Sequence, residues 1–103
     1  MSDFLKETSG TDKACLTNGV TLITGGANGI ADMTLGLPSP GYRAVIRLVS
    51  ITQGKTVVVT SAAKVDGTNN ILTFDTAEDT IVLVCKDANN WAIEFNSGVA
   101  LSA

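Results

Sequence analysis

Histidine is absent from the 103 residues of this chain, and with it go the commonest general base and the commonest zinc ligand. Charge is sparse. Only 17 % of residues are charged, and seven basic residues spread thinly along the chain stand against ten acids, for a net charge of −3. Without a basic stripe to neutralise phosphates, nucleic acid is not an expected partner. No window repeats apolar residues at three- and four-residue spacing over a helix length, and no apolar run approaches the length of a membrane span. The opening Met-Ser-Asp-Phe-Leu-Lys-Glu-Thr-Ser-Gly has an acid where a signal peptide carries bases, and it has no apolar core. The expectation is a protein made in a cytosol, with no membrane partner. In that setting the two cysteines, Cys15 and Cys85, read as small buried hydrophobes rather than as a bridge.

What is present is a succession of β-type runs. The length suits one domain that buries roughly 65 % of its unfolded surface. At 45 % hydrophobic residues with a positive mean hydropathy, the chain is more apolar than a lone small domain needs, and self-association would account for the excess. The densest region is 71–95, where Ile-Leu-Thr-Phe-Asp, Thr-Ile-Val-Leu-Val-Cys and Trp-Ala-Ile-Glu-Phe follow one another across polar, hairpin-sized connections. It reads as a three-strand antiparallel meander. Trp91, Ile93 and Phe95 share one face of the last run, opposite Ala92 and Glu94. In the middle run Ile81, Leu83 and Cys85 face one way and Val82 and Val84 the other, both apolar, so something must cover the second face. Residues 42–51 repeat this, with Ala44, Ile46 and Leu48 against Val45, Val49 and Ile51.

Around these runs the punctuation is regular. Residues 14–17 and 20–24 flank Asn18-Gly19, which predicts a hairpin. Leu37-Pro38-Ser39-Pro40-Gly41 is a rigid elbow, because its prolines fix φ and withhold two N–H donors. Gln53-Gly54 turns into a strand over 55–60 that must be paired in the native state, and Asp66-Gly67 centres a polar loop. Asn96-Ser97-Gly98 leads to a terminal strand at 99–101. The expected fold is all-β: a single small antiparallel β-sandwich or barrel-like domain, 13–103, built of hairpins behind an extended N-terminal arm, 1–12. Expected packing residues, for the core or between copies, are Ile46, Leu48, Val57, Val59, Phe74, Ile81, Leu83, Trp91, Ile93 and Phe95.

Chemical motifs are few. Thr24-Gly25-Gly26-Ala27-Asn28-Gly29-Ile30 resembles the cofactor loop of short-chain dehydrogenases, whose glycines admit a coenzyme pyrophosphate to a helix N-terminus. Ala31 replaces the last glycine, Pro38 and Pro40 cut off a helix, and Tyr42 has Ile46 rather than Lys four residues on. A glycine-rich turn is the better reading, and a nucleotide-binding enzyme fragment the weaker one. Asp75, Glu78 and Asp79 could hold an ion, but their spacing fits no calcium loop and acids are routine in hairpin turns. Trp91 could stack on a sugar or base, yet beside Ile93 and Phe95 it reads as core. With no Gly-x-Ser-x-Gly elbow, Cys-x-x-Cys pair or phosphate loop, no catalytic, cofactor-binding or metal-binding residue is assigned, and the chain is read as not an enzyme.

Thr34-Leu35-Gly36-Leu37-Pro38-Ser39-Pro40-Gly41-Tyr42, then Thr56-Val57-Val58-Val59, then Gly67-Thr68-Asn69-Asn70-Ile71-Leu72-Thr73-Phe74-Asp75, then Trp91 and Asn96-Ser97-Gly98-Val99-Ala100-Leu101, form a pattern that resembles small β-rich bacteriophage virion proteins. The likeness is closest to capsid decoration, cement or head-fibre proteins. It implies an intertwined homotrimer on the capsid surface, binding the major capsid protein and stabilising the head, with Phe4 and Leu5 of the arm taking part in docking. A receptor-binding knob of a tail fibre or spike is the alternative the same likeness allows.

Overall fold

Among the described residues, alternation of large apolar with small or polar residues produces nine strands and no helix. The computed structural model describes residues 5–8, 13–25 and 31–103. The strands are β1 (Leu5–Thr8), β2 (Gly19–Thr24), β3 (Asp32–Leu35), β4 (Arg43–Ser50), β5 (Val57–Ser61), β6 (Ile71–Phe74), β7 (Thr80–Asp87), β8 (Asn90–Ser97) and β9 (Ala100–Ser102). They form a five-stranded sheet in the order β1-β2-β4-β7-β8 and a four-stranded sheet in the order β3-β5-β6-β9.

The inner faces close one core. Ile23, Ala44, Ile46, Leu48, Ile81, Leu83 and Trp91 come from the larger sheet, and Met33, Leu35, Val57, Val59, Leu72 and Phe74 from the smaller. The burial alternation of β4 and β5 follows from the two-residue period of a strand. Buried polar groups are satisfied: Thr21 Oγ1 accepts from the Leu16 amide at 2.9 Å and Ser61 Oγ from the Ala63 amide at 3.2 Å.

The sheets are mixed, which corrects the all-antiparallel expectation: β1 with β2, β2 with β4, and β3 with β5 run parallel. Parallel neighbours need a crossover, and here the opposite sheet supplies it. The chain leaves β2 for β3 across the sandwich, returns to β4 through the proline elbow, and crosses again to β5. At the elbow Pro38 is buried, Gly41 sits at φ +85°, and the Tyr42 amide donates to Ser39 O at 3.0 Å. The expected hairpin at Asn18-Gly19 is absent for the same reason. Residues 13–15 join β3 instead, with the Cys15 amide donating to Thr34 O and the Thr34 amide to Lys13 O, both at 2.8 Å.

The meander over 71–95 is also corrected. β7 and β8 form the expected hairpin, but β6 belongs to the other sheet, between β5 and β9. The buried Asp79 carboxylate makes the crossing by accepting from the amides of Asp75 and Thr76, each at 3.1 Å. Part of the expected arm is β1, hydrogen-bonded to β2 along Leu5–Thr8.

Candidate assembly surface

The outer faces of the two sheets differ in chemistry. Across the smaller sheet, register sets Thr34 beside Thr60 beside Ile71 beside Ser102, and Asp32 beside Val58 beside Thr73 beside Ala100, so four of these eight residues carry hydroxyls and neither row is apolar throughout. Across the larger sheet one register row is apolar from edge to edge. Leu5 pairs with Val20, Val20 with Val45, Val45 with Val82, and Val82 with Phe95. Val82 is buried yet lies outside the core cluster, as expected for a side chain covered only by its neighbours on the outer face. The ends of the row are bare: Leu5 is 51 % and Phe95 52 % exposed, and Val49 adds a further exposed apolar group beyond the row.

Phe95 reaches this face through a β-bulge. Leu83 pairs with Ile93 but Val82 pairs with Phe95, leaving Glu94 unopposed. The extra residue inverts the alternation beyond it, a general effect of bulges. Trp91 and Ile93 therefore keep to the inner side, whereas Phe95 turns outward, contrary to the single face that strict alternation predicts. Of the other expected packing residues, Ile46, Leu48, Val57, Val59, Phe74, Ile81, Leu83 and Trp91 are buried in the core and Ile93 packs partly against it. Trp91 spans the sandwich, its Nε1 donating to Gly36 O at 3.3 Å and its amide to Lys64 O at 2.7 Å. Leu5 opens the outer row, and Phe4 lies outside the described residues.

Two ion pairs border the row. On one side Arg43 Nε donates to Glu94 Oε1 at 2.8 Å; on the other, Arg47 pairs with Glu78. Both are substantially exposed, so each contributes little to stability, and Glu7, in register with Leu22 and Arg47, adds one further acid to that border. Glu78 holds this place at φ +81°, in a turn whose amide donates to Leu48 O at 2.7 Å. The three acids of that turn diverge. Glu78 faces Arg47, Asp79 caps the crossing backbone, and Asp75 Oδ1 accepts from the Thr76 hydroxyl at 3.0 Å. No group of three His, Cys, Asp or Glu residues that could hold a metal occurs among the described residues.

The remaining titratable shifts belong to turns and core. Backbone amides of Asn69, then Thr68, hold the Asp66 carboxyl below its usual range, and the amide of Asn89, then the side chain of Asn90, does the same for Asp87. Burial pushes the Cys15 thiol up to about 12. Both cysteines are free. Within the dehydrogenase-like stretch, residues 26–30 lie outside the described residues; Thr24 ends β2, and the next described element is strand β3. The second apolar face of β4 and β7 was legible in the sequence through Val45, Val49, Val82 and Val84. The parts of Val20 and Phe95 were not, since one depends on a parallel register and the other on the bulge.

Comparison of the chain with protein families, with curated proteins and with solved structures finds no match in any of the three.

Proposed function

We propose that this chain is a virion structural protein, a decoration or cement protein that binds the assembled phage head as a homotrimer and stabilises it. The single observation that carries the reading is the unequal dressing of the two sheets: one outer face is hydroxyl-rich, the other bears an apolar row across all its strands. A small all-β subunit with a closed core and an apolar exterior suits an assembly whose whole task is binding and stability. The resemblance of the turn and strand pattern to small phage virion proteins gives that task a setting. On a capsid, many copies multiply weak contacts into a firm hold against internal pressure. Docking to the shell is given to the arm ahead of β1, which carries Phe4, with Leu5 at the rim of the larger sheet marking where the arm meets the row.

Co-sedimentation with heads prepared without the protein tests the reading. A decoration protein pellets with the shells and raises their resistance to heat. A chain that stays in the supernatant, or binds cell-surface receptor in place of capsid, removes it in favour of a tail-fibre knob. Removing residues 1–12 is expected to weaken binding to the shells; unchanged binding would exclude the arm from docking.

A further inference from the structure

Resting on the assembly reading above, we infer that the apolar row Leu5, Val20, Val45, Val82 and Phe95 is the surface through which copies of this chain meet, each packing its larger sheet against the same sheet of its neighbours. Three observations select a second copy as the occupant. The first is charge. The chain carries −3 overall, so two copies repel, yet the row is bordered by two arginine–glutamate pairs, Arg43 with Glu94 and Arg47 with Glu78, and by Glu7 in register with Leu22 and Arg47, so these bordering groups add only one negative charge. Like molecules approach along this strip at low electrostatic cost, and each arginine meets a glutamate of the neighbour as readily as its own. A nucleic acid or anionic membrane would require an excess of cations that the strip does not have.

The second is extent. Five strands span about 24 Å, and six residues of strand add about 20 Å, so the face offers roughly 480 Å² per copy and roughly 1,400 Å² in all when three copies meet around one axis. The third is the device that exposes Phe95. Strict alternation would put this ring on the inner face with Trp91 and Ile93; the bulge at Glu94 brings it to the end of the row instead. Half exposed and rigid, it is the kind of aromatic anchor that dominates an interface. At the opposite edge Leu5 provides a second anchor, so both ends of the row have something to bury.

The test compares the full-length wild type with Phe95→Lys, with the double variant Val45→Lys/Phe95→Lys, and with Thr60→Lys on the hydroxyl-rich face, by sedimentation velocity over a concentration series. Emission of the buried Trp91 reports that each variant is folded. Wild type and Thr60→Lys are expected to assemble alike, while Phe95→Lys weakens assembly about tenfold or more and the double variant runs as a single copy. If folded Phe95→Lys and the double variant assemble like wild type, the interface lies elsewhere and the inference falls. A wild type that remains a single copy at high concentration but pellets with phage heads also overturns it, leaving the decoration role intact. A wild type that assembles through the row but ignores the heads sustains the inference and removes the virion role.

Discussion

Cys15 and Cys85 show how differently two residues of one type are placed. Cys15 lies in the crossover stretch, its amide tied to Thr34 and its thiol buried between the sheets; burial destabilises the thiolate and raises its pKa to about 12, an effect Lys6 only partly offsets. Cys85 is half-buried near the end of β7, its Sγ 3.6 Å from Asp87 O. A thiol reagent applied to the native protein near neutral pH is therefore expected to modify Cys85 alone, with Cys15 reacting only after denaturant is added. Mass spectrometry of the labelled protein decides this, and equal rates at the two sites would contradict the placement. Asp66 and Asp87 give a second prediction at this scale. Turn amides lower their folded-state pKa below the ordinary 3.8, so each contributes stability above that value and loses it as the pH falls through the lowered one. Thermal unfolding from about pH 6 to about pH 2 should show Asp66→Ala/Asp87→Ala melting below wild type at the upper end, with the gap closing in acid. A gap that widens toward acid would mean the turns are held by something else.

Two elements govern how the chain passes between sheets and how β8 presents its side chains. At the end of β8, Gly98 takes φ +85°, and a Cβ there would lie 2.1 Å from Asp79 Oδ1, the carboxylate that organises the β6 to β7 crossing. Gly98→Ala combines a left-handed backbone with a clash against a buried acid, and a loss of about 2 to 4 kcal/mol in denaturant unfolding is expected. A change within about 0.5 kcal/mol would show that the two turns are not coupled. In the same strand, deleting Glu94 removes the bulge while keeping Ile93 opposite Leu83 and Phe95 opposite Val82; beyond the exposed pair with Arg43 it is expected to cost about 1 kcal/mol or less. Deleting Ala92 instead would set Glu94 opposite the buried Leu83, and that variant should fail to fold cooperatively. These elements also mark how far the sequence was legible. Strand positions and the core residues of β4, β5 and β7 could be read from alternation, because inward and outward positions differ in polarity. Pairing could not. Whether β6 continues into β7 or crosses the sandwich depends on Asp79 turning its carboxylate back to two amides, and Asn18-Gly19 has the chemistry of a hairpin while residues 13–15 find β3. Local turn preference was overruled by contacts distant in sequence.

For the whole molecule, the sandwich closes its own core and still leaves one apolar row across the outer face of its larger sheet. The hydrophobic excess visible in the composition is thus divided: most lies inside one copy, and of the four large hydrophobic side chains left exposed among the described residues Leu5 and Phe95 end the row, while Val49 and Leu37 lie outside it. That concentration was hidden from the sequence because the row joins residues from five strands, three of them linked by parallel pairings that no local signal announces. The proposed decoration role would make use of such a division, with one face for like subunits and the rest of the surface left for the shell. The most direct test of the account is the mass of the purified full-length chain in solution, measured by sedimentation equilibrium. The account predicts a species three times the 10.6 kDa chain mass that dissociates when Phe95 carries a charge. A single folded copy that persists as concentration rises would contradict it.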